Sequence, residues 1–251
     1  MNISKRLKNS GFIVLLPFLF ALLTLCQNRS EEEDWEILFN GTTLDEWIGL
    51  GMDSIPANWK IEGDYIRNIN RQEVPLMPDG QPSQGGDLMT KRSFENFELY
   101  FEWKISVDGN SGVKYNVSEE MSTQSGNKHH ALGFEYQLLD DEGPRYKGNI
   151  EPSQHTAALY DLIPPSNVSL NPVGELNTSR IIVDGDRCEH WLNGIKVLEF
   201  EFGSDLLELA YNESKFNVHP GFHEKRKGHI ILQNHSTDAW FKNIRIRELM
   251  N

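Results

Sequence analysis

Cysteine is nearly absent from this sequence: among 251 residues only Cys26 and Cys188 carry a thiol. Two thiols cannot build a zinc framework or the multiple bridges on which small disulfide scaffolds depend. Segments with helical periodicity are also scarce, and there is no glycine-rich phosphate loop, nucleophile elbow or Cys-x-x-Cys pair. These absences exclude zinc-framework and disulfide-scaffold proteins and leave no motif for phosphate binding or for a serine nucleophile.

Basic residues are few relative to acidic ones: 24 Lys and Arg against 37 Asp and Glu give a formal charge of −13. An acidic surface repels nucleic acids and anionic lipid headgroups, so neither is an expected partner. Neutral sugars are indifferent to such a charge. Taken alone, the acidity indicates solubility and no particular substrate.

One long apolar run is present, from Phe12 to Leu25, and three basic residues precede it. The run is too short to span a bilayer as a helix, and its basic flank and abrupt polar end are typical of an export signal. The sequence Leu23-Thr24-Leu25-Cys26 resembles a bacterial lipobox. It predicts that the chain is exported, to the periplasm or the cell surface.

The lipobox resemblance divides the amino terminus into two parts. We expect residues 1–25 to be a signal peptide, Cys26 to be the lipidated residue and residues 26–34 to be a polar tether to the membrane. The alternative is ordinary signal-peptide cleavage nearby, which would leave a soluble secreted protein.

Strand-like alternation of apolar and polar residues dominates the rest of the chain. The predicted strands lie at residues 59–62, 97–105, 112–117, 132–139, 180–183, 190–192, 196–200, 229–235 and 240–246. Many short strands joined by glycine-containing turns are typical of a sandwich or jelly roll. The sequence therefore predicts an all-β fold, in one domain of residues 35–251.

Two hairpins are predicted within this pattern. Asn193-Gly194 separates two alternating runs and is the strongest short hairpin signal in the chain. The last two runs, 229–235 and 240–246, look like a closing hairpin. Long polar segments at 68–87, 118–130, 140–179 and 203–227 are predicted to be loops, and loops of that length tend to be functional.

Several polar side chains stand out as candidates for a site. Gln233 and His235 would share one face of a strand, as would Glu135 and Gln137 of the run 132–139. Asn110 precedes Ser111-Gly112, where a glycine lets another group approach the backbone closely. Taken singly, such residues are more often parts of a plain turn or a solvated strand face.

A loop-borne histidine adds a titratable group. His155 and Tyr160 lie within the long segment that follows residue 140, and imidazole is well suited to proton transfer near neutral pH. A lone histidine is nevertheless more often structural. The pairs His129-His130 and His219/His223 lack a defined carboxylate partner, so no metal ligand is assigned.

A series of motifs runs through the chain in a fixed order. They are Leu38–Trp47, Leu88–Thr90 leading to Phe97–Leu99, Asn110–Val113, Glu135–Asp141, Ala158–Tyr160, Trp191–Gly194, and Gly228–His235 continuing through Phe241–Ile246. Over roughly residues 35–249 this series resembles the bacterial 3-keto-disaccharide hydrolase family. The resemblance implies an exported protein with a concanavalin A-like β-sandwich or jelly roll, built from two antiparallel sheets with long loops.

The resemblance also implies a chemistry. A ketone at C3 of a glycosyl unit acidifies the C2 proton, so a base can remove it, the aglycone can leave from C1, and water can add afterwards. This route needs a base, a group that stabilises an enolate and an acid for the leaving oxygen. It does not need the paired carboxylates of ordinary glycosidases.

On this basis we assign His155 as the proton-transfer residue and Glu135 as a second acid/base or orienting carboxylate. Five residues would bind sugar hydroxyls or the enolate: Asn110, Gln137, Tyr160, Gln233 and His235. A divalent cation held partly by Glu135 and a histidine could serve as the electrophile. The assignment requires Glu135, His155 and His235 to be close in space.

Two other classes of function fit the same residues. Outward Asn, Gln, His and Tyr side chains serve a non-catalytic, lectin-like carbohydrate-binding module as well as an enzyme. A purely structural surface lipoprotein would neither bind nor cleave sugars. Trp35, Trp47 and Trp59 could stack on sugar rings, but their early strand context favours packing.

Overall fold

Two antiparallel β-sheets form the framework of the structure, a computed structural model that describes residues 34–126 and 128–250. The strands are β1 (Glu36–Phe39), β2 (Trp47–Gly49), β3 (Trp59–Glu62), β4 (Tyr65–Asn68), β5 (Leu88–Phe94), β6 (Phe97–Ile105), β7 (Asn110–Val117), β8 (Phe134–Leu139), β9 (Asn177–Asp184), β10 (Arg187–Leu192), β11 (Ile195–Glu201), β12 (Gly228–Leu232) and β13 (Ala239–Glu248). The helices are α1 (Glu119–Gln124) and α2 (Asp205–Glu213), with 3-10 turns at Arg71–Glu73, Pro152–Gln154 and Lys215–Val218.

The larger sheet has the order β11-β10-β9-β6-β13-β4-β3, with β1 also paired to β13. The smaller sheet has the order β2-β5-β12-β7-β8. Every strand pair in both sheets is antiparallel. This architecture confirms the predicted concanavalin A-like sandwich of two antiparallel sheets.

Alternating side chains fill the space between the sheets. In β6 the residues Phe97, Leu99, Phe101 and Trp103 are all buried in one large apolar cluster. Phe134, Tyr136 and Leu138 of β8 enter the same cluster from the smaller sheet. Because side chains alternate along a strand, Glu135 and Gln137 must lie on the opposite face of β8. The core packing therefore aims these two polar groups away from the sandwich interior.

A buried polar contact joins the sheets. The Tyr115 hydroxyl lies 2.8 Å from Nε2 of His190, whose Nδ1 lies 3.0 Å from the Ala157 carbonyl oxygen. A carbonyl only accepts, so Nδ1 carries the hydrogen and Nε2 accepts from Tyr115. Burial lowers the pKa of His190 to about 4. This neutral imidazole ties the backbone at Ala157 to both sheets.

Some predicted elements are confirmed and others are wrong. The Asn193-Gly194 turn joins β10 to β11 as expected, with both residues at positive φ. The closing hairpin is wrong, because β12 belongs to the smaller sheet and β13 to the larger one. The strand predicted over 229–235 ends at Leu232, so Gln233 and His235 follow it.

The long loops contain short helices that the sequence pattern did not predict. Helix α1 lies within 118–130, and α2 lies within 203–227. Both begin at a serine, Ser118 and Ser204, whose hydroxyl accepts from a backbone N–H of the first turn. The segment predicted as a loop over 140–179 ends earlier, since β9 begins at Asn177.

The amino-terminal predictions concern residues outside the described part of the chain. These are the signal peptide of residues 1–25, the lipidation of Cys26 and the tether of residues 26–34, of which only Asp34 is described. Among the described residues, no helix has the length and apolar character needed to cross a membrane.

Candidate functional site

The candidate site lies on the face of the smaller sheet that points away from the core. Lys114 of β7 and Glu135 of β8 are direct register partners, so their side chains share that face. Both are buried, and Lys114 Nζ lies 3.5 Å from Oε2 of Glu135. The same ammonium group donates to the Ala131 carbonyl oxygen at 2.8 Å. A charged pair is thus held in a largely desolvated place.

Two amides complete the surroundings of the carboxylate. Gln233 Nε2 donates to Oε2 of Glu135 at 3.0 Å. Gln137 is oriented by its hydrogen-bond network so that its amide nitrogen donates to Oε1 of Glu135 at 3.1 Å and to the Ser111 carbonyl oxygen at 2.9 Å. Both oxygens of Glu135 are therefore fixed by neutral donors on either side of Lys114.

Gly112 makes this arrangement sterically feasible. It is the register partner of Gln137, and it lies two residues before Lys114 on the same face of β7. A Cβ atom at residue 112 would lie 2.4 Å from Oε1 of Glu135 and 2.8 Å from its Cγ. The predicted close approach at this glycine is confirmed, and the approaching group is the Glu135 side chain.

The charge state of Glu135 reflects opposing influences. Burial raises its pKa above the ordinary glutamate value, and the nearby charge of Asp87 also raises it. The charges of Lys114 and Lys215 act in the opposite direction. A carboxylate balanced in this way can exchange a proton nearer to neutral pH than an exposed glutamate can.

Asp87 fixes the rim of the site. It is fully buried, and its Oδ2 accepts from the Ala131 N–H at 2.7 Å while its Oδ1 accepts from the Asn234 N–H at 2.8 Å. His130 Nδ1 lies 3.6 Å from the same Oδ1. One carboxylate thus connects the start of β5 with the segment before β8 and the segment after β12.

The outer edge of β8 is covered by the segment that carries Tyr160. Leu159 is bridged to Tyr136, and the Tyr160 N–H donates to the Glu135 carbonyl oxygen at 3.0 Å. Residues opposed in this way lie on the same side of a sheet, so Tyr160 continues the row formed by Lys114 and Glu135.

Gln233 contributes a second polar atom to the site. Its backbone N–H donates to the Gly112 carbonyl oxygen at 2.9 Å. The pairing with β7 therefore continues one residue beyond Leu232, the last residue of β12. Oε1 of Gln233 is buried and accepts no hydrogen bond within the described residues. A buried acceptor of this kind is normally satisfied by a donor such as an ordered water.

Two of the predicted binding residues lie farther out. His235 is exposed; desolvation by its surroundings lowers its pKa, and the charges of Arg145 and Lys114 lower it further. Asn110 shares the Lys114 face of β7 but lies opposite Leu139, where its Nδ2 donates to the Tyr146 hydroxyl at 3.3 Å. Asn110 therefore marks the opposite end of the same strand face.

His155 contacts a different carboxylate, that of Asp141. Its Nδ1 is 3.6 Å from Oδ2 of Asp141, and the neighbouring Thr156 bonds to Leu139 at the far end of β8. Within residues 34–126 and 128–250 no hydrogen bond or ion pair joins His155 to Glu135 or to His235. The expectation that these three residues are close in space stays a prediction.

The histidine pairs considered for metal binding have other contacts. His129 Nδ1 lies 3.0 Å from the Leu50 carbonyl oxygen. The expected absence of a carboxylate partner is wrong for His223, whose Nε2 lies 2.7 Å from Oε2 of Glu208. It is also wrong for His130, whose Nδ1 lies 3.6 Å from Oδ1 of Asp87. In the described part of the chain, no three His, Cys, Asp or Glu side chains are grouped as a metal ion would require.

Two residues of the site were missed in the sequence. Lys114 alternates with Asn110 and Gly112, so the strand period alone places all three on one face. That alternation was a usable signal, because Glu135 and Gln137 were found by the same reasoning. Asp87 had no such signal, since its role depends on contacts with two distant segments.

Residues 34–247 match the family described as the 3-keto-alpha-glucoside-1,2-lyase-like domain. The chain belongs to this family. A relative from Bacteroides thetaiotaomicron, named 3-keto-disaccharide hydrolase, is 33% identical over 231 residues, which cover 84% of this chain and 77% of that protein. The family resemblance inferred from the sequence is confirmed, and at the family level so is the expectation of a glycoside-cleaving enzyme.

Solved structures agree with the fold. A 1.70 Å crystal structure of a protein from Parabacteroides distasonis ATCC 8503, assigned as a glycosyl hydrolase, is 27% identical with a TM-score of 0.72. The match covers 88% of this chain and 96% of that one. A second protein from the same organism, with the same assignment, is 25% identical with a TM-score of 0.62, covering 86% and 99% of the two chains.

Proposed function

We propose that this protein cleaves glycosides whose glycosyl unit carries a ketone at C3, by removing the C2 proton, eliminating the aglycone and adding water. The observation that carries the proposal is the buried Glu135 carboxylate, held 3.5 Å from Lys114 Nζ beside two side-chain amides. Family membership and the name of the Bacteroides thetaiotaomicron relative support the same substrate class.

Glu135 is the base in this scheme. The ketone makes the C2 proton acidic, and the proton moves from C2 to the carboxylate while the electron pair spreads onto the oxygen at C3. Burial raises the pKa of Glu135, and a carboxylate with a raised pKa is a stronger base than an exposed one. The fixed hydrogen bonds from Gln137 and Gln233 hold the carboxylate in one orientation.

Lys114 stabilises the negative charge that develops at the C3 oxygen. Its ammonium group has three donors, of which one is used on Ala131 and one faces Glu135. The third is available to the enolate oxygen. A preorganised cation in a desolvated place is an effective stabiliser of such charge, because it needs no reorganisation during the reaction.

The remaining polar groups bind the sugar. The exposed imidazole of His235 is offered to hydroxyl groups, Gln233 lies against the Glu135 carboxylate, and Asn110 lies at the far end of the Lys114 face of β7. A divalent cation is not required by this scheme, since Lys114 supplies the positive charge. The carbohydrate is the partner, and the proposal includes no nucleic acid.

The place of action follows from the amino terminus. Its basic flank, apolar run and lipobox-like end support export to the periplasm or cell surface, with a lipid anchor at Cys26. Glycans outside the cytoplasm are the substrates available there.

The direct test offers the purified protein a 3-keto-glucoside and the matching unoxidised glucoside, with products followed by NMR. Release of aglycone from the keto-sugar alone is expected. Retention on a glycan column without product from either compound would instead indicate the carbohydrate-binding module. Neither product nor retention would indicate a structural lipoprotein.

His155 keeps its assignment as a prediction. The His155→Ala variant should be compared with wild type for turnover and for its melting temperature. Loss of turnover with an unchanged melting temperature would show that the His155–Asp141 pair takes part in proton transfer. Unchanged turnover would show that His155 has no role in the reaction.

A further inference from the structure

The segment that covers the edge of β8 holds a tyrosine and a lysine in contact. Lys215 Nζ lies 3.1 Å from the Tyr160 hydroxyl oxygen and 4.3 Å from the centroid of the Tyr160 ring. An ammonium group has only donors, so its N–H points at the phenol oxygen. The phenol hydrogen is therefore directed away from Lys215 and is free to be donated elsewhere.

The backbone positions this pair with several contacts. Asp161 Oδ2 accepts from the Lys215 N–H at 3.2 Å, and Oδ1 of the same carboxylate accepts from Gln154 at 3.1 Å. Asp161 and Ala157 both adopt positive φ, a conformation that costs energy for residues other than glycine. The surrounding structure thus holds Tyr160 between two strained positions.

The pair belongs to the row that contains the carboxylate. Register pairing places Lys114, Glu135 and Tyr160 side by side on one face of the smaller sheet. Directly opposed residues in such a row have Cβ atoms about 5 Å apart. The charge of Lys215 also acts on Glu135, which indicates that Lys215 lies near the same carboxylate.

We propose that Tyr160 is the acid that protonates the leaving aglycone oxygen, and that Lys215 is a positioning residue that holds the phenol and favours the phenolate left behind. This inference rests on the proposed function, in which Glu135 removes the C2 proton but no residue is assigned to the leaving group.

Glu135 takes the C2 proton, the C1–O bond breaks, and its electron pair leaves with the aglycone oxygen, which receives the Tyr160 hydroxyl proton. The sugar product now has a double bond between C1 and C2. Water then adds at C1 and returns a proton to the phenolate, while protonated Glu135, after exchanging its proton with solvent, delivers a solvent-derived proton to C2. Both residues are regenerated, and the net reaction is hydrolysis.

The test compares substrates with poor and good leaving groups, because a good leaving group departs without being protonated. Wild type, Tyr160→Phe and Lys215→Met are compared on methyl and 4-nitrophenyl 3-keto-glucosides. On the methyl compound, Tyr160→Phe is expected to lower kcat/KM by about 10²–10⁴-fold, the usual contribution of general acid catalysis. On the nitrophenyl compound we expect a change of a few-fold at most. Lys215→Met should show a smaller loss with the same dependence, which Lys215→Arg partly restores.

The matched control is Lys242→Met. Lys242 lies 5.0 Å from the Tyr65 ring on the larger sheet and pairs with Asp64, so it reproduces a lysine–tyrosine contact on the sheet that does not carry Glu135. Its kcat/KM should equal that of wild type on both compounds.

The outcomes separate the two proposals. Wild type that releases nitrophenol from the keto-sugar supports the proposed function. The acid role of Tyr160 is then overturned if Tyr160→Phe loses activity to the same extent on both compounds, or if it keeps full activity on both. If wild type cleaves neither compound, both proposals fall. Melting temperatures of all variants show whether a loss reflects folding.

Discussion

A Cβ atom at residue 112 would lie 2.4 Å from Oε1 of Glu135, so the Glu135 carboxylate occupies the space that any other residue at this position would fill. The conformation of Gly112 is ordinary for a strand, and the glycine is needed for space alone. The lack of a side chain at residue 112 is therefore required for the observed position of the Glu135 carboxylate.

The Gly112→Ala substitution should displace Glu135 from its two amide donors. We expect a large loss of turnover and a destabilisation of about 1–3 kcal/mol, the usual cost of overpacking. Activity assays and urea unfolding measure the two effects. Gly185→Ala, at a hairpin turn with open space around it, is the control: it should cost about 1 kcal/mol through backbone strain and leave turnover unchanged. Full activity in Gly112→Ala would show that the position of Glu135 does not matter.

The pH dependence of turnover should report Glu135. Its pKa is raised, so the acidic limb of kcat/KM should lie above the pH at which an exposed glutamate titrates. Lys114 lowers this pKa, hence Lys114→Met should move the limb to still higher pH in addition to lowering the maximum. Lys91→Met, an exposed lysine on β5 of the same sheet, is the control. If the acidic limb does not move in Lys114→Met, the group that titrates in this limb is not Glu135.

Stability should fall as the pH is lowered through the range in which His190 titrates. The pKa of His190 is depressed to about 4 in the folded protein, from an unfolded value of 6.5. Between these values the unfolded state binds more protons, so the stability is complete above about pH 6.5 and is lost as the pH approaches 4. The difference corresponds to about 3 kcal/mol at most.

Urea unfolding of wild type and His190→Gln at several pH values tests this expectation. The variant should be less stable at neutral pH but should depend less on pH, with His219→Gln as the histidine control. Equal pH dependence in wild type and His190→Gln would contradict it.

The amino-terminal prediction is tested separately. Wild type expressed in a bacterium and labelled with a palmitate analogue should incorporate label and fractionate with membranes, and Cys26→Ser should do neither. Cys188→Ser is a useful control because Cys188 is buried in the core. A wild-type protein that is processed and secreted without label would favour ordinary signal-peptide cleavage.

Local periodicity was enough to find part of the site. Glu135 and Gln137 are two residues apart in a run whose other face is aromatic, so their shared face was predictable. The pairing of Lys114 with Glu135 was not, because register between strands depends on which strands meet. His155 was chosen for its chemistry within a long loop, and sequence spacing gave no information on where that loop docks.

The two C-terminal strands show the same limit. The connection between Leu232 and Ala239 is short enough for a hairpin, and neighbouring runs usually pair. Here it crosses from the smaller sheet to the larger one, where β13 lies between β6 and β4. Both strands have an apolar face for the same core, so local pattern cannot distinguish pairing from crossing.

The most direct test of the account follows the C2 hydrogen of the substrate. Cleavage of a 3-keto-glucoside is run in D2O, quenched early and analysed by NMR, with the buffer alone and Glu135→Gln as controls. Wild type is predicted to release sugar carrying deuterium at C2, whereas Glu135→Gln should show no incorporation above the buffer. Rapid cleavage by wild type with the C2 hydrogen fully retained would contradict it.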